Sequence, residues 1–221
     1  MSAPAQSRQK VLNRIRAATR SVAHDSAHLA GAYAALPRPY VHRGKLSTEA
    51  RIDLLIERLR EYDAEVVEST PADLPAVIAA QLASSGKRIF VAPQGLPTEW
   101  LIPGFDWKID RGLSTAEIEK AEGVVTAATC GIADSGTIVL HHSSTEGRRI
   151  ISLLPDWHLI ILRASQVVET LPEYFDRCLQ SPGLVTTISG PSATADIEMT
   201  RIKGVHGPRI LVVIMVRDDV K

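Results

Sequence analysis

Three short polar segments of this sequence contain residue types that bind or transform small molecules. The first, residues 131–140, includes Asp134, Ser135, Gly136 and Thr137. A carboxylate, hydroxyls and a glycine within one turn place an acceptor, donors and a close backbone approach side by side. The same residue types also build ordinary hairpin turns, and composition alone favours that structural interpretation. Ser135 does not lie in a G-x-S-x-G motif, so the sequence does not predict a hydrolase nucleophile.

The second segment, residues 186–198, follows a predicted strand and begins a predicted helix over residues 192–201. Its candidate ligand contacts are Gly190, Ser192, Thr194 and Asp196. Ser192 suits the N-cap of this helix, where free amides and the helix dipole favour a phosphate or carboxylate. In open α/β sheets, ligands also lie beyond the carboxyl ends of the strands. Because capping alone demands the same residue types, an anion site and a plain helix cap both remain open.

The third segment contains the adjacent arginines Arg148 and Arg149. A guanidinium group can clamp a carboxylate or phosphate through its forked donors, although arginines are also commonly solvated or ion-paired. Successive side chains of an extended chain point to opposite faces, so we expect only one of the pair to face a site. The sequence does not indicate which one.

Histidines and cysteines form no recognisable metal site in this sequence. The histidines that could transfer a proton or bind a ligand are His141, His142, His158 and His206. Without an H-E-x-x-H motif or a carboxylate-backed pair, a structural role is favoured for each of them. The two cysteines, Cys130 and Cys178, are far apart and lack a C-x-x-C companion. We therefore expect no iron–sulfur cluster, structural zinc or disulfide framework in this chain.

Alternating helical and strand patterns predict the framework that positions these segments. Ser47 or Thr48 can cap a helix to about residue 62, and Ser114 with Glu117 matches a capping box. Other predicted helices cover residues 75–82 and 171–179, and predicted strands cover residues 65–68, 88–92, 123–128, 137–140, 158–162, 184–188 and 209–216. This alternation predicts an α/β fold with a mostly parallel sheet flanked by helices. The turn at residues 134–136 predicts a hairpin insertion.

The N-terminal region differs from the rest in charge and composition. Its first 24 residues hold five basic and no acidic side chains. A transit peptide is one interpretation, but a basic helix that docks through Val11, Leu12 and Ile15 is favoured because no cleavage-like boundary follows. Residues 31–45 contain Pro37 and Pro39 and are predicted to form a segment that connects this helix to the main domain. We therefore predict a helical arm and linker over residues 1–45 and an α/β domain over residues 46–221.

Overall composition limits the classes of function. Among the 221 residues, Lys plus Arg and Asp plus Glu each total 25, so the formal charge is zero and no nucleic-acid footprint is present. The longest apolar run, residues 210–216, is too short to cross a bilayer, and no apolar stretch follows the first methionine. We expect a cytoplasmic protein without a membrane span.

Taken together, the segments resemble the lactate utilization protein C family, also called the LUD domain family. The matching stretches, in the same order and spacing, are ADSGTIVL at residues 133–140, RR at 148–149 with LLPDWH at 153–158, GPSATADIE at 190–198 and GVHGP at 204–208. The resemblance is strongest over residues 121–216. It implies a fold similar to that of sugar-phosphate isomerases, CoA transferases and formyltetrahydrofolate cyclo-ligases, and participation in the oxidation of L-lactate to pyruvate. It also implies companion subunits that carry iron–sulfur clusters.

Three functions are compatible with this resemblance, because a shared fold does not transfer an activity. The first is a non-redox subunit that binds an organic or phosphorylated anion and iron–sulfur partner subunits. The second is an independent CoA-transferase-like or isomerase-like enzyme, in which Asp134 is the nucleophile or general base. Its turn is faintly similar to the glutamate-containing turn of CoA transferases but carries the shorter aspartate. The third is a scaffold whose motifs preserve turns and caps.

Overall fold

Six parallel strands form the central sheet of the protein. The computed structural model describes residues 3–19, 26–178, 183–195, 201–203 and 206–218. The strands of this sheet follow the order β1-β12-β7-β4-β2-β3, and all five neighbouring pairs are parallel. Their bounds are β1 Glu65–Ser69, β2 Ile89–Pro93, β3 Asp106–Asp110, β4 Gly123–Ala127, β7 Trp157–Arg163 and β12 Ile210–Val216. The predicted fold class, a mostly parallel α/β sheet, is confirmed.

A second sheet of four short strands contains the predicted hairpin. Its order is β8-β5-β6-β9, where β5 and β6 pair antiparallel around the turn that includes Asp134. Its bounds are β5 Cys130–Ile132, β6 Thr137–Leu140, β8 Val167–Val168 and β9 Thr186–Ile188. Gly136 adopts a φ of 60°, which favours glycine at this turn.

Helices cover the central sheet as the sequence predicts. They are α3 Thr48–Glu61, α4 Leu74–Ser84 and α5 Thr115–Ile118, whereas α6 Leu171–Arg177 packs on β5 and β8 of the second sheet. The Ser47 side chain accepts a hydrogen bond from the amide of Ala50 and caps α3, and Ser114 with Glu117 forms the predicted capping box. Buried apolar side chains pack on both faces of the central sheet, because alternate residues of each strand point to opposite faces. On β7, Ile160 and Leu162 face the α3 side, whereas Leu159 and Ile161 face the α4 side.

The predicted helix over residues 192–201 is wrong. The chain forms β10 Ala193–Ala195 and β11 Arg201–Lys203, which pair antiparallel in a separate two-stranded ladder. Ser192 is not an N-cap: its amide donates to the carbonyl of Pro208, and its hydroxyl accepts from the amide of His206. Residues 193–195 form a strand because they pair with residues 201–203, and Ser192 bonds to His206 and Pro208; capping patterns do not encode such pairing.

The chain divides into two compact units, residues 1–40 and 41–221. The first contains α1 Ala3–Thr19 and α2 Ser26–Ala34. Helix α2 runs through Gly31, where the sequence predicts a connecting segment to begin. On α1, the Val11 and Ile15 side chains are more than half exposed. None of the helices in the described ranges combines the length and apolarity that crossing a bilayer requires.

Candidate functional site

A pocket of about 290 Å³ opens between the two sheets of the larger unit. We call it the interlayer pocket. It is formed by the amino ends of β7 and β12, the strand β9, and the turns around Arg149, Ser192 and His206. Its lining residues are Arg149, Ser152, Leu153, His158, residues 186–193, His206, Gly207, Pro208 and Leu211. None of these described residues is acidic, and Arg149 is the one that carries a guanidinium group.

The adjacent arginines have different surroundings, as the alternation of side chains predicts. Arg148 donates from Nε and Nη2 to the two carboxylate oxygens of Asp110, at 2.8 and 2.6 Å, and Nη2 also donates to the carbonyl of Leu113. Arg149 lines the interlayer pocket. In the described part of the chain, no carboxylate or hydrogen-bond acceptor contacts its guanidinium group. Arg149 is therefore the member of the pair that is available to an anion.

The Asp110–Arg148 pair lies at a different place, at the carboxyl ends of β2 and β3. It borders an open depression of about 490 Å³. The Asp110 side chain also accepts from the amides of Gly112 and Leu113. The hydrogen bonds from Arg148 lower the pKa of Asp110 below its ordinary value, an effect that burial opposes. We call this cluster the Asp110 site; its charges and acceptors are paired with one another.

A fully buried histidine lines the interlayer pocket. His158 lies in β7, and its Nε2 atom is 2.9 Å from the hydroxyl of Thr126 in β4. Burial lowers the pKa of His158 to about 3, so its imidazole is neutral at neutral pH. Within the described residues, the Nδ1 atom has no hydrogen-bond partner. A buried polar atom without a partner costs free energy, which a hydrogen bond from a ligand or a solvent molecule would offset.

A second histidine–threonine pair lies beside the pocket and is hydrogen-bonded at both ring nitrogens: Thr186 lines the interlayer pocket, whereas His142 borders the depression at the Asp110 site. His142 Nδ1 lies 2.9 Å from the carbonyl of Gly147, and Nε2 lies 2.8 Å from the hydroxyl of Thr186. Because a carbonyl only accepts, Nδ1 donates to Gly147, and in a neutral ring Nε2 then accepts from the threonine. His142 has a φ of 56°, which is unusual for a residue other than glycine. The two hydrogen bonds hold the loop in this conformation beside β9.

The predicted hairpin turn reaches the pocket only through an intermediate residue. The hydroxyl of Thr137 is 2.8 Å from that of Ser135 and 2.8 Å from that of Ser189, which lines the pocket. Asp134 is exposed, and its amide donates to the carbonyl of Glu169. It does not line the pocket. The turn supports the pocket wall, while Asp134 itself faces elsewhere.

Glycine is required where the pocket wall approaches α3. Gly190 has a φ of 83°, and a Cβ atom there would lie 2.6 Å from Cβ of Tyr62. On the other side of the wall, Ser192 is bonded to the segment of His206 and Pro208, as described above. These contacts fix the turn that follows β9.

The structure thus separates the predicted site residues into groups. Four of them line the interlayer pocket: Arg149, Gly190, Ser192 and His206. Those outside it are Asp134, Ser135, Gly136, Thr137 and Arg148. Thr194 lies in β10, and Asp196 lies outside the described residues. Sequence reasoning missed Asp110, Thr126 and the specific role of His158, because each depends on a partner more than 30 residues away in the chain.

Groups that could hold a metal are not gathered in this part of the protein. Across the described ranges, no three His, Cys, Asp or Glu side chains lie close enough to bind an ion together. Buried Glu146 accepts hydrogen bonds from the hydroxyl of Thr129 and the amides of His141 and Ser143. Its contacts are those of a residue that holds a loop.

Comparison with known proteins places the chain in a family. The LUD domain family matches residues 48–216. Lactate utilization protein C of Deinococcus radiodurans is 39% identical over 82% of this chain and 86% of its own length, and that of Bacillus pumilus is 28% identical over 80% and 82%. A crystal structure of a DUF162 family protein from Deinococcus radiodurans has a TM-score of 0.66 and 32% identity, and covers 78% of this chain and 99% of that chain. This chain belongs to the LUD domain family.

Proposed function

We propose that this protein takes part in lactate utilization as a non-redox component that binds a small organic anion in the interlayer pocket. The relatives named lactate utilization protein C support the pathway. Arg149 is the main support for the site, because it is a guanidinium group on a pocket whose described lining residues include no acid. An arginine in such a position gains more from a carboxylate or phosphate than one that is already paired.

Iron–sulfur partner subunits complete the proposed system. Oxidation of L-lactate to pyruvate releases two electrons, which need a redox centre. This chain has two cysteines, whereas common iron–sulfur clusters use four cysteine ligands. The electrons would therefore pass through other subunits, and this chain would bind the acid and contact those subunits.

Equilibrium binding tests the site. Isothermal titration of the purified chain with L-lactate, pyruvate and inorganic phosphate should detect binding of at least one anion. Arg149→Ala should weaken that binding by about ten- to a hundredfold, because a hydrogen bond to a charged group contributes about 1.5–3 kcal/mol. Arg163→Ala is the matched control, since Arg163 is an exposed arginine at the opposite end of β7. Equal losses in both variants, or no binding of any anion, would contradict the proposed site.

Growth tests the pathway. A strain that lacks this gene should grow poorly on L-lactate and recover with the wild-type chain or Arg163→Ala, but not with Arg149→Ala. Co-purification of the wild-type chain with iron–sulfur subunits tests the proposed partners. Normal growth of the deletion strain on lactate would refute the role in lactate utilization.

A further inference from the structure

Two cysteines that are far apart in the sequence lie in one apolar cluster of the folded protein. Cys130 begins β5, and Cys178 directly follows the last residue of α6. The side chain of Cys130 is completely buried, and the partly exposed Cys178 packs against the cluster that contains Cys130 and Tyr174. The spacing of the two cysteines gives no sign of this proximity, which results from the packing of α6 on β5 and β8.

Hydrogen bonds and packing hold both cysteines in position. Cys130 pairs with Val139 in the antiparallel hairpin. Cys178 is the C-cap residue of α6, and its amide donates to the carbonyl of Tyr174 at 2.8 Å. Tyr174 is buried in the same cluster, and its hydroxyl lies 2.7 Å from Nε2 of His141. The end of α6 is therefore anchored beside the strand that carries the other cysteine.

The two thiols differ in their access to reagents. Burial raises the pKa of the Cys130 thiol, and the charge and hydrogen bond of the neighbouring Cys178 raise it further. Because the thiolate is the nucleophile, a buried and protonated thiol is inert towards reagents in solution. Cys178 is partly exposed and is the thiol that such a reagent meets first. An accessible cysteine next to a second, resolving cysteine is the arrangement found in redox-sensitive thiol pairs.

We propose that Cys130 and Cys178 form a reversible disulfide that fastens the end of α6 to β5. The oxidant is a low-molecular-weight disulfide. The Cys178 thiolate attacks one of its sulfurs, its S–S bond breaks, and the released thiolate takes up the proton that Cys178 gave up. The Cys130 sulfur then attacks the sulfur of Cys178, the mixed disulfide breaks, and the second released thiolate takes up the proton of Cys130. Two protein thiols are oxidised, and one small disulfide is reduced to two thiols.

The new bond belongs to the sheet that forms one wall of the interlayer pocket. Strand β5 pairs with β6, β6 pairs with β9, and β9 lines the pocket. A cross-link between residues that are distant in the chain reduces the entropy of the unfolded state. The oxidised chain should therefore unfold at a higher urea concentration than the reduced chain. An unchanged or lower midpoint would contradict a disulfide that the native packing accommodates.

Mass spectrometry of the full chain tests whether the bond forms. The reduced chain is incubated with oxidised glutathione, alkylated, and digested without reduction. It should lose both alkylatable thiols, retain no glutathione and yield one peptide pair that joins Cys130 to Cys178, and dithiothreitol should restore both thiols. A lasting glutathione adduct on Cys178, two free thiols after oxidation, or a cross-link between two chains would overturn the proposal.

Single variants separate the two steps of the reaction. Cys130→Ala keeps the accessible thiol and should stop at one glutathione adduct on Cys178, whereas Cys178→Ser keeps the buried thiol and should stay unmodified. In the native wild-type chain, which needs no variant to fold, iodoacetamide should alkylate Cys178 at least about tenfold faster than Cys130. Faster alkylation of Cys130 would overturn the proposed order of attack. None of these measurements uses anion binding, so their outcome is independent of the proposed function.

Discussion

Arg148 and Arg149 are adjacent in the chain, yet their side chains lie in different regions. The polar groups around Arg148 are hydrogen-bonded to one another, whereas those around Arg149 are, among the described residues, partly without partners. At the Asp110 site, Arg148 and the neighbouring amides satisfy both oxygens of a buried carboxylate. At the interlayer pocket, Arg149 lacks a counter-charge within the described residues, and Nδ1 of His158 lacks a partner. Paired groups stabilise a fold, whereas an unpaired guanidinium group that lines a cavity is available to a ligand. The first region therefore holds the loops in place, and the second carries the proposed binding site.

The largest expected effect concerns the pH dependence of stability at the interlayer pocket. His158 stays neutral in the folded protein until about pH 3, but in the unfolded chain it has the ordinary histidine pKa of 6.5. Its folded pKa is depressed, so the unfolded state binds more protons over this range, and stability is lost as the pH falls. The free energy of unfolding should therefore fall by about 1.4 kcal/mol per pH unit between pH 6 and pH 4 because of this one group.

Urea denaturation at pH 7, 6, 5 and 4 measures this slope. The control is His158→Leu/Thr126→Val, which has no titrating group at this position and should show a correspondingly shallower decline. Identical slopes in the two proteins would mean that the pKa of His158 is the same in the folded and unfolded states. The contrast between an unsatisfied pocket and a satisfied Asp110 site would then be lost.

The second effect tests whether the Asp110 site serves stability alone. Asp110→Asn removes the charge that pairs with Arg148 and should lower the free energy of unfolding by about 2 kcal/mol. This value lies below that of a fully buried pair because the Arg148 side chain is 48% exposed. Since the pKa of Asp110 is lowered in the folded state, its contribution is present above the unfolded pKa and is lost as the pH falls below about 4.

The same strand provides a matched control for Asp110→Asn. Asp106 begins β3 and pairs with Lys108 at 3.0 Å, but both side chains are about half exposed. Asp106→Asn should change stability by less than about 0.5 kcal/mol, because exposed ion pairs contribute little. Neither variant should change anion affinity at neutral pH. A loss of affinity in Asp110→Asn would show that the two regions are not separate.

The sequence predicts these regions to different extents, for physical reasons. The cap at Ser47 and the hairpin turn at Gly136 depend on residues close together in the chain, and both are confirmed. Ser192 has the local sequence pattern of a helix N-cap, but it is not one. Its hydroxyl and amide instead bond to the segment of His206 and Pro208. Local patterns are reliable where no distant segment competes for the same groups.

The candidate site depends more strongly on distant contacts. Alternation of side chains predicts that only one of Arg148 and Arg149 faces a site, but the choice is made by Asp110, 38 residues earlier. The properties of His158 likewise depend on Thr126, which lies across the sheet on the neighbouring strand. Register between parallel strands is set by the whole sheet, so these pairs could not be predicted from local spacing.

The smallest expected effect is that of Asp134→Ala, which belongs to neither region. Asp134 is an exposed turn residue outside the interlayer pocket, and its backbone hydrogen bond to Glu169 survives the substitution. We expect the free energy of unfolding to change by less than about 0.5 kcal/mol, as for most surface substitutions, and anion affinity to stay at the wild-type value. Urea denaturation and calorimetric titration measure these quantities, and complementation of the deletion strain on lactate adds the functional result. If Asp134→Ala folds and binds normally but fails to restore growth, the aspartate acts in chemistry on its own face of the hairpin, as the enzyme hypothesis requires. The comparison between Arg148 and Arg149 would then describe binding and stability but not the reaction.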